Sequence, residues 1–362
     1  MGVSILFYRR DMGLLMNQTK KYFLQCFLAS MFVVYSNAVL ADHGSIGFGI
    51  GTASPIITQT GITLPKDKIA TGLITQFTRF DNVSAGKLIT ISSGALSEPS
   101  SDIHSTKTLT VPQVFAAIGV TNDLTLGTRF SYVRRDDVLT AHEHGEEFHD
   151  QGNPDGFGGV SFFGQYRIFR SKDDLNHLSV VVGLKTPTGA TRQRDKPGEL
   201  FEVHSQPSGG SWNPSAGLSF TRAMGKFSFD SSVLYTVATS GARSTDLGDI
   251  FEYNFALSYA FVGEARDALF SSSNQSQWTG ILEINGAWQD YIETHGMRDP
   301  NSGGSIVYIS PGIRYSGGSN WNTALSVGIP IVKDTNGFQT DPGYRITFRF
   351  VVVLDPFERE YS

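Results

Sequence analysis

Residues 251–261 read Phe-Glu-Tyr-Asn-Phe-Ala-Leu-Ser-Tyr-Ala-Phe, and every second position is large and apolar. Phe251, Tyr253, Phe255, Leu257, Tyr259 and Phe261 form one phase; Glu252, Asn254, Ala256, Ser258 and Ala260 form the other. A pleated strand sends successive side chains to opposite faces, so one face here is apolar and largely aromatic while the other is small or polar. Roughly eleven residues is about twice a common globular strand length. It matches what a tilted strand needs to cross the hydrocarbon core of a bilayer. The stretch therefore predicts a transmembrane strand with its rings toward lipid and its polar phase toward a lumen.

The rhythm recurs along the chain. Alternating segments are expected at 68–80, 108–120, 124–135, 159–170, 177–186, 214–223, 226–239, 251–261, 277–291, 305–315, 321–332 and 343–354. Pro112 suggests a bulge in the second of these, because proline cannot donate to a ladder. The connectors alternate as well. Short turns rich in Asn, Asp and Gly (121–123, 171–176, 224–225, 316–320) take turns with long polar loops (81–107, 136–158, 187–213, 240–248, 292–304, 333–342). The connector 263–276 is long where a short turn is due. The fold class expected is all-β: a single transmembrane antiparallel up-and-down barrel of about twelve strands across 68–354, with a tail at 355–362. Trp278, Trp288, Tyr291, Tyr315, Trp321, Tyr259 and Phe261 fall at segment ends, where amphipathic rings suit the headgroup level.

Composition excludes several classes. A mean hydropathy of -0.12 and 17% charged residues do not fit a helical polytopic membrane protein. A formal net charge of -5 gives no basic footprint, so nucleic acid is not an expected partner. Lys20 and Lys21 precede an apolar run at 22–34 and a short small-residue stretch ending at Ala41. That order describes a secretory signal peptide at 1–41 cleaved after Ala41, with Met16 a plausible start. The chain's only cysteine, Cys26, falls within it, so the mature barrel is expected to lack disulfides. Residues 42–67 are rich in Gly, Thr and Ile without a clear period. They are expected to lie in the periplasm or to fold into the lumen as a plug.

The inner phase supplies the candidate lumen and selectivity residues, Arg129, Arg167, Lys185, Asp230, Glu252, Asn254, Glu283, Asn285, Arg314, Arg345 and Arg349, with Gln165 a further polar residue of the same phase. Both signs are present, so they can brace adjacent strands or line a selective constriction. A second candidate is the loop holding His142, His144 and His149 beside Glu143, Glu146, Glu147 and Asp150. Imidazole and carboxylate together suit Zn, Cu or Ni. A hydrated acidic loop is the plainer reading of the same residues. His177 and His204 stand near strand starts, but no histidine sits mid-strand with an oriented partner, so an activated nucleophile is not expected. The chain is read as no enzyme and as needing no cofactor, with a barrel hydrolase the weakest alternative.

Several stretches resemble the outer-membrane barrel family of transporters linked to the meta-pathway of phenol degradation. They include Pro55-Ile-Ile-Thr with 63–73, then 120–130, Gly183-Leu-Lys-Thr-Pro-Thr-Gly189, and Gln206-Pro-Ser-Gly-Gly-Ser-Trp-Asn-Pro214, which is the most specific. The similarity runs from about Gly51 to Phe350. It implies an outer-membrane barrel that passes small molecules by diffusion, hydrophobic or aromatic ones among them. Its expected partners are outer-membrane lipid, the solute and the barrel-insertion machinery. Two departures stand out. Residues 351–362 follow the terminal aromatic Phe350, and Gly159-Val160 replaces the family's Gly-Asp.

Overall fold

Twelve strands pair in sequence and close on themselves in the computed structural model, which describes residues 55–81, 83–84, 86–88, 103–141, 148–263, 276–318 and 320–356. They are β1 (Ile69–Phe80), β2 (Thr108–Gly119), β3 (Leu124–Asp136), β4 (Asp155–Arg170), β5 (Asn176–Lys185) and β6 (Asn213–Met224), then β7 (Phe227–Thr236), β8 (Ile250–Ala260), β9 (Gln277–Gln289), β10 (Gly304–Ser316), β11 (Trp321–Thr335) and β12 (Pro342–Leu354). Every neighbouring pair is antiparallel, and β12 returns to β1 through the register Leu73↔Phe350. Closure leaves no barrel edge unpaired, which is how a sheet satisfies its backbone in lipid.

The two phases of β8 separate as the sequence indicates. Glu252, Asn254, Ala256, Ser258 and Ala260 are buried, while Phe255 and Leu257 are 41% and 46% exposed. The same inversion holds round the ring: Phe130, Phe162, Leu218, Leu282 and Leu325 face outward, and Arg314, Arg349, Gln165 and Asp230 are fully enclosed. A water-soluble sandwich has the opposite arrangement. No helix of the described residues is long and apolar enough to cross a membrane; here strands make the crossing. At one rim the aromatics form a chain of contacts, Trp278 on Tyr315, Tyr315 on Trp321 and Trp321 on Phe350, with centroids 4.8, 5.5 and 6.0 Å apart. These rings lie at the end of the barrel with the short turns.

Two sequence expectations need correction. Pro112 carries no register shift: the pairing with β3 lapses at Val111 and Pro112 and resumes in the same register, Thr110 with Arg134 and Gln113 with Ser131. The slip instead accompanies Pro330, where Val307↔Val332 is followed by Tyr308↔Pro330. β4 also begins at Asp155 rather than 159, because Asp155–Phe157 extend the pairing with β3 through a bulge at Ser131/Tyr132. Gly159 takes φ 112 beside that bulge, a conformation that suits glycine. The long loops carry two further three-stranded sheets: Ile103–Ser105, Val138–Ala141 and Phe148–Gly152 form one, and Thr245–Asp246, Glu293–Thr294 and Met297–Arg298 the other. The leader at 1–41, residues 42–54, most of the 263–276 connector and the end of the tail lie outside the described residues.

Candidate functional site

Residues 55–64 lie inside the barrel, and every one of them is buried. Their backbone forms no ladder, so its polar groups need partners from the wall. The Glu283 carboxylate on β9 accepts from the N–H groups of Ile56, Ile57 and Thr58 at 3.3, 3.1 and 2.9 Å. Gln59 N donates to Ser232 Oγ at 3.3 Å, and Gln59 Nε2 donates to Gln165 Oε1 at 3.0 Å. Thr60 and Thr221 hydroxyls meet at 2.8 Å, and Gly61 N donates to the same Thr221 Oγ1 at 2.8 Å. Ser179 Oγ donates to Gly61 O at 2.6 Å. Leu64 N donates to Thr125 Oγ1 on β3 at 2.8 Å. Since β3 and β9 stand half-way round the ring from each other, the segment crosses the lumen from wall to wall.

Small residues make room for it. A Cβ on Gly61 would sit 2.6 Å from His177 O, and one on Gly119 would sit 1.9 Å from Pro65 O. At the rim the chain turns at Asp67 (φ 66), whose N–H donates to Gly119 O at 2.8 Å, and β1 starts two residues on. Apolar contacts complete the seat: Ile56 and Ile57 pack against Ile281 and Ala324, Ile62 against Ala223, and Leu64 joins a larger cluster with Ala70, Ile74, Leu109, Val111, Phe115 and Val351.

On the long-loop side of this segment lies a cavity of about 170 Å³. Arg129, Arg135, Lys185 and Glu252 supply charge to its wall, and Val111, Leu234 and Ile250 supply apolar surface. Pro207 and Leu247 reach it from the outer loops. The loop between β5 and β6 is fastened over the opening. Arg135, itself buried, donates from Nη2 to His204 O at 3.1 Å and from Nε to Ser205 O at 3.3 Å. Gln206 is fully buried and pins the loop to itself, donating to Gln193 O and Phe201 O at 3.0 and 2.8 Å. That gives a physical role to the first residue of the 206–214 stretch.

The predicted lumen residues divide by place. Arg129, Lys185 and Glu252 line the cavity. Asn254, Asn285 and Arg345 share a network with Ser310, in which Asn285 Oδ1 accepts from Ser310 Oγ at 2.8 Å and from Arg345 Nη2 at 3.2 Å. Arg345 also stacks on Tyr308, 4.0 Å from its centroid. Glu283 holds the crossing segment, and Asp230 accepts from Thr221, which in turn holds Gly61. Arg314 and Arg349 are enclosed in the same interior. Arg167 is at the short-turn rim instead, donating to Asp123 Oδ1 at 2.9 Å and Asn122 O at 2.8 Å. Of the histidine loop, His142 and His144 lie outside the described residues, and His149 is exposed on Phe148–Gly152. Gln165 was expected on the inner phase, where it holds Gln59; Thr221 and Thr125 were not singled out from sequence, and their signal was only that they belong to the same phase.

A family model matches residues 100–350 of this chain. The chain belongs to the family described as putative MetA-pathway of phenol degradation. Among solved structures, this family member is similar to an outer membrane channel from Pseudomonas putida F1, with 13% identity and a TM-score of 0.53 over 81% of this chain and 97% of that one. A weaker similarity, with a TM-score of 0.39 and 10% identity over 88% and 100% of the two chains, is to a Pseudomonas aeruginosa FadL homologue. No curated protein matches the chain by sequence. With its closed twelve-strand wall and outward apolar band, the protein is a bacterial outer-membrane β-barrel in contact with membrane lipid.

Proposed function

We propose that this barrel is a passive outer-membrane channel for small molecules, closed in the described conformation by residues 55–64. The observation that carries the reading is the chemistry of the seat. From Ile56 to Gly61 the segment is held mainly by hydrogen bonds to a polar wall, with small apolar contacts, while Leu64 is anchored in a larger apolar cluster with Ile74 and Phe115. A typical intramolecular hydrogen bond contributes only about 0.5–1.5 kcal/mol net, because water replaces it. Residues 56–61, seated this way, can leave the wall while Leu64 holds the end of the segment beside β1. A buried apolar core of the same length would be far harder to release.

The cavity supports a solute class. Its wall combines apolar side chains with Arg129, Arg135, Lys185 and Glu252, so it suits a molecule with an apolar body and a polar or anionic end. The volume of about 170 Å³ exceeds the roughly 150 Å³ that accommodates a benzene-sized ring. The fold match to a Pseudomonas putida outer membrane channel and the family description are consistent with such a role. The reading involves no bond-making step and no cofactor.

Liposome swelling tests it. Full-length protein should pass single-ring aromatic acids slowly, and a folded variant lacking residues 55–64 should pass them faster. A folded barrel without the segment that passes no solute would overturn the channel reading.

A further inference from the structure

Two outer loops, far apart in sequence, bring histidines to one carboxylate. His104 stands on Ile103–Ser105, between β1 and β2, and His204 sits in the 3-10 turn Val203–Ser205, between β5 and β6. Glu202 precedes that turn. His104 Nε2 and His204 Nδ1 each lie 3.2 Å from the same oxygen, Glu202 Oε2. One donor atom from each of the three residues falls within 4.8 Å of the others. The rings meet edge to face at 4.8 Å.

We infer that His104, Glu202 and His204 form a binding site for a divalent transition metal, with zinc(II) the reference ion, that fastens these two loops together. The ligand chemistry fits: two imidazole nitrogens and one carboxylate oxygen are a three-protein-ligand zinc set that leaves a fourth position for water. With bonds of about 2.0–2.2 Å in tetrahedral geometry, donor atoms stand roughly 3.4 Å apart, close to the two separations of 3.2 Å.

Support from beyond the ligands is also present. His104 Nδ1 lies 2.9 Å from Thr140 Oγ1, its cross-strand partner, which orients the ring with Nε2 toward Glu202. Such outer contacts hold a ligating ring in place. The His204 carbonyl is fixed by Arg135 at 3.1 Å, and Val203 packs with Leu247 and Ile292. The His side chains are each 15% exposed and that of Glu202 is 45% exposed, so an ion can enter from outside. Glu202 and His204 also border a cavity of about 380 Å³ that holds His295 and Asp299 on its wall. The plainer alternative is a proton-only cluster, in which both facing nitrogens donate to the carboxylate. A metal instead takes a lone pair from each of the three atoms.

Titration calorimetry of tag-free, folded barrel in detergent with Zn²⁺ decides between them, and Co²⁺ absorption reports coordination. We expect about one ion per barrel, a tetrahedral Co²⁺ spectrum, and at least a 100-fold loss of affinity in His104→Ala and in His204→Ala. Thr140→Val should weaken binding by about tenfold. The triple variant His142→Ala, His144→Ala, His149→Ala should bind as the parent does. Heat-modified gel migration checks that each variant is folded. No binding by the parent overturns the inference. So does binding that survives in folded His104→Ala and His204→Ala barrels, or that disappears only in the triple variant.

Discussion

Glu283 accepts from Ile57 with both carboxylate oxygens, at 3.1 and 3.2 Å, although the two residues are separated by most of the barrel. One wall side chain thereby collects three successive backbone donors, those of Ile56, Ile57 and Thr58. Anionic acceptors make the stronger hydrogen bonds, so this is the firmest polar anchor of the crossing segment.

Replacing that anchor should release the segment. Hydrogen bonds to charged groups contribute about 1.5–3 kcal/mol each, and every 1.4 kcal/mol is tenfold in an equilibrium. Glu283→Ala should therefore raise the open fraction in planar bilayers at least tenfold, and Glu283→Gln, which keeps one acceptor, should raise it less. Single-channel recording measures both.

Gly61 tests the seat by size instead of charge. A Cβ there would meet His177 O at 2.6 Å, and overpacking costs typically about 1–3 kcal/mol. Gly61→Val should increase conductance while leaving the barrel's urea midpoint unchanged, because no barrel strand contributes the altered residue.

The outer face should reject charge. Leu257 is 46% exposed near the middle of β8 and pairs with Phe229 and Leu282. Arginine on a lipid-facing midplane position costs about 2–4 kcal/mol. Leu257→Arg should lower unfolding stability in vesicles by that order, whereas Ser258→Ala, one residue along and facing inward, should change it little.

The fold was legible because period-two alternation names both faces of a strand at once. Phe255 and Leu257 declared lipid, and Asn254 and Glu252 declared the interior, without reference to any distant residue. The functional site was legible only in part. Glu283 could be placed inside, but that it holds Ile57 depends on a segment without periodicity, whose position is set by partners on β3, β4, β5, β6, β7 and β9. At Pro112 the pairing with β3 is interrupted and resumes in register, so the missing donor produces no bulge there. His104 and His204 carry no spacing signal, since their loops meet only after the barrel closes. The denser histidine loop at 142–149 stands out by composition alone.

Charge at the cavity should set ion preference once the lumen is open. Lys185 shares the wall with Arg129, Arg135 and Glu252. In a variant lacking residues 55–64, Lys185→Glu should move the reversal potential in a salt gradient toward cation selectivity. An unmoved potential would place the constriction elsewhere.

A reversible lock tests closure by the segment most directly. The hydroxyls of Thr60 and Thr221 meet at 2.8 Å, so Thr60→Cys with Thr221→Cys, in a Cys26→Ser background, places two thiols within reach of a disulfide. Conductance of the one preparation is then recorded oxidised and after reduction. Gating by residues 55–64 predicts silent channels when oxidised and recurrent openings once reduced. Equal conductance in the two states, with the disulfide shown to form and break, would contradict it.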